Sequence, residues 1–193
     1  LLAACSVSKH VPEGEYILDK VEVKSDQKEY DASPLVPYVR QKEKPKLFSL
    51  FKNPFTRKPV IFDTLQARLS CRDLLQAMQN QGYMNSGVSL LTEKKKKKLK
   101  ATYLLHPGQP FTIGSVKYEV RDDRIQQLLH LDQPENQMLK PGTRFTVEAL
   151  DAERKRIAGL LSNQGYFRFN KDFSQFAADT ISGSRYIALT LQL

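Results

Sequence analysis

The chain has 193 residues, enough for one domain or two, and its 40% hydrophobic and 26% charged content is that of a globular protein, which argues against wholesale disorder. No run of 18 apolar residues occurs, so the sequence holds no membrane-spanning helix. The formal net charge of +9 is uneven, with 19 Lys and Arg against 11 Asp and Glu in residues 1–110 but 11 against 10 in residues 111–193; a nucleic-acid-binding face running through the whole chain is therefore not expected.

The opening Leu1-Leu2-Ala3-Ala4-Cys5 resembles the end of a bacterial lipobox, an apolar stub and two small residues before a cysteine that becomes lipidated after cleavage. On this reading Cys5 is a lipid anchor stable enough to hold a protein at a bilayer, and Ser6 behind it favours the outer membrane. An ordinary apolar N-terminus is the alternative. Residues 1–14 then form a remnant and tether. Cys5 and Cys71 admit one disulfide, and Cys71 also reads as a buried free thiol on the core face of a helix.

Tyr16 to Val23 alternates as a strand. Ser33-Pro34 predicts a helix start, with Ser33 as N-cap and proline at the first helical position, running through Leu35, Val36, Tyr38 and Val39. Residues 41–62 form a basic, aromatic insert with Lys42, Lys44, Lys46, Lys52, Arg57 and Lys58 among Leu47, Phe48, Leu50, Phe51 and Phe55. Such a mixture suits an anionic membrane surface or a partner protein, or folds back as extra core.

A second helix is predicted from Asp63-Thr64 to a stop at Asn80-Gln81-Gly82-Tyr83, with Cys71, Leu74, Leu75 and Met78 on one face. Strands follow at Met84–Glu93 and Leu99–Leu105, joined through Lys94–Lys98. The five lysines read as a solvated hairpin end that deters edge pairing, since no aromatic or arginine pattern accompanies them for nucleic-acid binding.

His106-Pro107-Gly108-Gln109-Pro110 is turn chemistry and marks the boundary between modules 15–106 and 107–193. The second module repeats the first. Phe111–Val120 is a strand in which Ile113 and Val116 match Leu18 and Val21, and Asp122–Leu131 is a helix whose acidic start suits the helix dipole. After Lys140-Pro141-Gly142 a long helix carries Leu150, Ile157, Leu160 and Leu161 to a second Asn163-Gln164-Gly165-Tyr166. Each glycine predicts a left-handed Schellman cap, with Tyr83 packed back on Met78 and Tyr166 on Leu161. A strand holding Phe167, Phe169, Phe173 and Phe176, a Ser182-Gly183-Ser184 turn and a strand Arg185–Leu193 close the chain. The expected class is α+β: two tandem β-α-α-β-β modules, each a three-stranded mixed sheet with two helices on one face.

No catalytic or metal motif is present. His10, His106 and His130 lack metal-site spacing, and neither a nucleophile elbow nor a phosphate-binding glycine loop occurs. No enzyme activity and no cofactor is expected.

The order β-α-α-β-β, the helix ends Leu75–Tyr83 and Leu160–Phe167 closing in Gly-Tyr, and the junction Pro107-Gly108-Gln109-Pro110-Phe111-Thr112-Ile113 resemble the tandem POTRA domains of the BamA/TamA outer-membrane assembly family. The stretches Pro37–Lys42, Leu47–Lys52 and Gly165–Asn170 are similar to a lipoprotein TamA-like branch found in Bacteroidetes. The resemblance implies a periplasmic scaffold at the outer membrane that binds unfolded barrel-protein clients or assembly partners. Family members continue into further repeats and a C-terminal transmembrane barrel, so the chain, which stops at Leu193, reads as an N-terminal fragment lacking the barrel, and barrel-insertion activity is not carried over to it. The resemblance also implies binding by strand addition. The candidate edges are Ser86–Glu93, through Ser86, Val88 and Leu90, and Phe167–Ala177, through Phe167, Phe169, Lys171 and Phe173; Gly82, Tyr83, Gly165 and Tyr166 are structural caps. A basic lipoprotein that grips anionic lipid or nucleic acid through the insert and the lysine run is the rival reading.

Overall fold

The computed structural model describes residues 11–43, 59–132, 134–180 and 183–193. Cys5 and most of the basic insert lie outside these residues, as does Ser182. The chain divides into two compact units, Leu1–Ala77 with Ser86–Pro107, and Met78–Asn85 with Gly108–Leu193. The helix corner at Gly82-Tyr83 thus counts with the second unit.

The first sheet contains β1 (Ile17–Ser25), β2 (Gly87–Lys95) and β3 (Lys98–His106) in the order β1-β3-β2. β3 is central, parallel to β1 and antiparallel to β2. The second sheet repeats this with β4 (Thr112–Glu119), β5 (Gln175–Thr180) and β6 (Tyr186–Gln192) in the order β4-β6-β5. The duplication reaches a local irregularity: the register slips between Leu18 and Lys20 in β1, and between Ile113 and Ser115 in β4. A bulge at the same place in both opening strands re-aims the side chains after it. It explains why Leu18 pairs in the repeat with Ile113 and Val21 with Val116.

The helices are α1 (Thr64–Asn80), α2 (Asp123–Leu131) and α3 (Val147–Asn163). Their starts are capped by short polar side chains. Asp63 accepts from the Leu65 amide at 2.7 Å, Asp122 from Arg124 and Ile125 at 2.9 and 3.0 Å, and Thr146 from Ala149 at 3.1 Å. The buried face of α1 is Ala67, Ser70, Leu74, Ala77 and Met78, whereas Cys71 and Leu75 are only half-buried. Ser70 is tolerated there because its hydroxyl donates to the Gln66 carbonyl at 2.8 Å and accepts the Arg40 amide at 3.0 Å. Cys71 is a free thiol whose pKa burial pushes up. In the second unit Ile113, Ile187 and Leu189 of the sheet pack with Leu139 and Phe145, and Leu191 packs with Ile157 and Leu161 of α3. Each of these side chains contributes about 1.5–3 kcal/mol on burial.

Three expectations need correction. The Ser33-Pro34 helix is a 3-10 helix, Ser33–Tyr38, with Ala32 rather than Ser33 in the cap position and no side-chain cap bond. Pro37 lies inside it and has no N–H to donate, so an α-helical ladder cannot propagate and the tighter turn takes its place. Ser86 precedes β2 instead of opening it. Most importantly, Phe167, Phe169, Lys171 and Phe173 are not strand residues: β5 starts only at Gln175, and Lys171–Phe173 is one 3-10 turn. Asn170 causes this, because its side chain accepts the Asp172 amide at 2.8 Å and bends the backbone locally.

Candidate interaction edges and helix corners

Each sheet has two outer strands, and the opening strand of each is partly covered by its own chain. On β1, Leu18 donates to the Val60 carbonyl at 2.8 Å, Phe62 donates to Tyr16 at 2.8 Å, and the Val21 amide donates to the Glu43 carboxylate at 3.1 Å. On β4, Ile113 donates to Thr143 at 2.8 Å, Gly142 to Ile113 at 2.7 Å, and Phe145 to Phe111 at 3.0 Å. Among the described residues β2 pairs with β3 alone and β5 with β6 alone, so these two strands carry the free edges. Val88 and Leu90 lie on β2 and are half-buried. On β5 only Phe176 turns into the core, leaving Gln175, Ala177, Ala178, Asp179 and Thr180 exposed.

The remaining edge candidates form a separate surface feature. The turn before β5 is pinned to α3: Arg154 Nε donates to the Lys171 carbonyl at 3.0 Å, and Lys171 Nζ lies 2.7 Å from Asp151 Oδ1. Hydrogen bonds from Lys155 and Lys171 hold the Asp151 carboxyl at about 2. Lys171 is therefore an anchor of the turn. Phe167 is 82% exposed and Phe173 61% exposed. The Phe169 and Phe173 rings lie 5.7 Å apart, and with Gly165, Tyr166, Phe167, Arg168 and Leu193 they border an apolar groove of about 720 Å³.

Both glycine corners have the expected cap. Gly82 has φ +92° and Gly165 φ +96°. Tyr83 donates to the Met78 carbonyl and Tyr166 to that of Leu161, each at 3.0 Å, while Gly82 and Gly165 donate to Gln79 and Ser162 at 2.9 and 3.1 Å, the paired bonds of a Schellman motif. The surroundings of the two corners differ. The Phe111 amide donates to the Gly82 carbonyl at 2.8 Å, and the Arg144 guanidinium sits 5.3 Å from the Tyr83 ring centre. A Cβ on Gly82 would lie 2.2 Å from the Phe145 carbonyl oxygen, whereas one on Gly165 meets no described atom within 4 Å. Arg144 and Phe145 escape a reading of the sequence, which carries no local signal that a loop before one helix will meet the end of another.

The charged groups are largely engaged. In the lysine run Lys94 stands 4.5 Å over the Tyr16 ring, Lys97 donates to the Pro12 carbonyl at 3.2 Å, and Lys98 pairs with Asp19 at 2.8 Å. Glu22 is held at about 2 by hydrogen bonds from Lys20 and Lys24. A fully buried carboxylate, Glu153, accepts from Tyr118 Oη at 2.8 Å, from the Met138 amide at 2.8 Å and from Arg156, whose guanidinium also meets Asp132. Burial and this hydrogen bond push the Tyr118 phenol well above the ordinary tyrosine range. Ser89 Oγ, His106 Nε2, His106 Nδ1 and Asp26 Oδ2 form a chain with contacts of 2.9 and 2.7 Å, joining β2, β3 and the end of β1. Among the described residues no group of three or more His, Cys, Asp or Glu side chains is placed to hold a metal ion, and no helix is long and apolar enough to cross a membrane.

No family model matches the sequence, and no curated protein matches it. Solved structures do resemble the fold. The third to fifth POTRA domains of Haemophilus influenzae BamA align over 95% of this chain and 68% of theirs, at 14% identity and TM-score 0.47. The first two POTRA domains of Anabaena Omp85 align over 93% of this chain and 96% of theirs, at 12% identity and TM-score 0.42. CdiB from Escherichia coli aligns over 100% of this chain but 30% of its own length, at 11% identity and TM-score 0.34. The α+β class, with two three-stranded mixed sheets, is established by the strand orders themselves.

Proposed function

We propose that this chain is a periplasmic, non-enzymatic scaffold of an outer-membrane protein assembly or translocation factor, composed of POTRA-like modules 15–106 and 107–193. It takes up extended segments of unfolded outer-membrane clients or partner proteins by strand addition. Cys5 serves as its lipid anchor, and its place is the lipoprotein TamA-like branch. The observation that carries the reading is the free outer edge of β5, a short strand whose exposed Ala177, Ala178 and Asp179 leave the backbone approachable. Main-chain bonds along such an edge supply affinity, and alternate side chains supply selectivity. β2 is the lesser edge, because its far end is Glu93, Lys94 and Lys95 beside the lysine turn.

The test is a pair of prolines, Ala177→Pro and Ala178→Pro. Neighbouring amides in an antiparallel strand point to opposite sides, so one proline removes a bond to β6 and the other removes only an outward donor. The outward-facing variant is expected to keep the parent unfolding midpoint and to lose binding of a synthetic peptide copying an outer-membrane barrel strand. Parent-like binding by both variants would refute strand addition at β5. Steep loss of binding with added salt would instead favour a charge-driven surface.

A further inference from the structure

Three observations meet at the lysine end of the first sheet. β2 and β3 join through the two-residue turn Lys96-Lys97, and Lys96 has φ +57°, left-handed backbone that glycine or asparagine adopts at lower cost in such a hairpin. Among the described residues no other non-glycine has positive φ. A strained residue at an exposed tip points to a role outside the fold. Lys94, Lys95 and Lys96 are exposed, and from Lys94 to Lys97 none pairs with a carboxylate among the described residues; Lys98 pairs with Asp19, whereas Glu13 and Glu15 take no lysine of the run. The third observation is where the chain enters. Lys97 Nζ donates to the Pro12 carbonyl at 3.2 Å, the Ile17 amide donates to the Lys97 carbonyl at 2.8 Å, and Lys94 stands over Tyr16, so residues 12–17 are fastened to the turn itself. Val11 beside them is buried, and it lies six residues after Cys5, no more than about 20 Å of extended chain.

We infer that the Lys94–Lys97 tip is a membrane-contact surface for the headgroup phosphates of anionic phospholipids, and that it seats the first unit lysine end down on the bilayer. This rests on Cys5 being the lipid anchor, because the anchor is what brings a bilayer within reach. A tether of about 20 Å holds the tip within a few Debye lengths of the headgroups, where their potential acts on it. Each lysine close to an anionic surface strengthens binding about fivefold, so the four unpaired ones give half-saturation near about 1 mM lipid even without the anchor. Lysine suits this partner, since a compact ammonium on a flexible stem follows mobile phosphates and needs no fixed planar geometry. Single-stranded nucleic acid fits less well: it wants free aromatic faces for its bases, and Lys94 already stands on the Tyr16 ring. The surface includes no residue of β5, so strand addition there and membrane contact here stand or fall separately.

The test sediments the whole chain carrying Cys5→Ser with vesicles of phosphatidylcholine alone or of phosphatidylcholine with about one-third phosphatidylglycerol. Binding to the mixed vesicles only, weakening as salt is raised, is the expected result. Lys96→Gly removes one charge and relieves the left-handed backbone, so it should bind about fivefold more weakly while its urea midpoint stays at or above the parent's. Adding Lys95→Gln should bring the loss to about twenty-five-fold. Equal binding to phosphatidylcholine vesicles overturns the inference, as does parent-like binding by the double variant. So does tighter binding to single-stranded DNA than to the mixed vesicles, or a loss produced by Lys44→Gln, Lys46→Gln and Lys52→Gln in the insert instead of by the tip variants. Incorporation of labelled palmitate at Cys5 in cells tests the anchor on its own. An unlabelled Cys5 overturns the anchor and with it the seating on the bilayer, whereas a labelled Cys5 without vesicle binding overturns the tip alone.

Discussion

Alanine at Gly82 and at Gly165 separates the two roles of one motif. Both residues sit at nearly the same positive φ, +92° and +96°, so both substitutions force an L side chain into left-handed backbone at about 1–2 kcal/mol. Only Gly82 adds a steric problem. Its new Cβ would stand 2.2 Å from a backbone oxygen, that of Phe145, which cannot rotate away as a flexible side chain would. Moving that carbonyl strains two bonds, Phe145 to Phe111 at 3.0 Å and Phe111 to Gly82 at 2.8 Å, each contributing about 0.5–1.5 kcal/mol. Overpacking of this kind costs about 1–3 kcal/mol in its own right. Gly165→Ala is therefore expected to destabilise by about 1–2 kcal/mol and Gly82→Ala by about 3–5 kcal/mol. Urea unfolding followed by far-ultraviolet circular dichroism measures the difference, and amide exchange localises it: the Phe111 and Phe145 amides should exchange faster in Gly82→Ala and stay protected in Gly165→Ala. Equal destabilisation, within about 0.5 kcal/mol, with unchanged Phe111 and Phe145 protection would refute the close-approach argument.

Removing the buried carboxylate in Glu153→Ala leaves Arg156 with Asp132 as its remaining carboxylate and strips acceptors from Tyr118 and the Met138 amide; the expected loss is about 3–5 kcal/mol, read as a lower urea midpoint, and a variant as stable as the parent would show that the cluster is not holding the second unit together. Acid sensitivity comes from carboxyls whose folded pKa is depressed. Glu22 stands at about 2 against its usual 4.5 because of Lys20 and Lys24, and Asp151 at about 2 against 3.8 because of Lys155 and Lys171. The unfolded chain binds the extra protons first, so their contribution is complete above about pH 4.5 and disappears as the pH falls toward 2. Glu22→Gln and Asp151→Asn should each flatten the decline of stability across that window, most visibly at low salt; slopes identical to the parent's would contradict the pairing.

The sequence by itself determined the duplicated architecture, because the signals for it are local and occur twice. A left-handed glycine after an apolar helical stripe, a tyrosine behind it and a β-rich run after that were enough to place both caps and the type of every long element. Local chemistry also misled where two signals competed. Four phenylalanines looked like a strand, yet Asn170 could satisfy the Asp172 amide within the loop, and Arg154 and Lys171 tied that turn to α3. Pro37 likewise overrode a helix start that Ser33-Pro34 announced.

Only the tertiary structure decided which edges are free, since the coverage of β1 and β4 depends on loops distant in sequence, through Val60 and Glu43 in one case and Thr143 in the other. It alone revealed that Glu153, on the face of α3 where an apolar residue would be expected, is matched by a tyrosine and a backbone amide brought from two other places and by Arg156 one turn along the same helix. It also gave the identical corners different surroundings. Capping is settled by backbone dihedrals within five residues, so the two copies agree; what a corner touches is settled by long-range packing, so Gly82 is enclosed while Gly165 stands open.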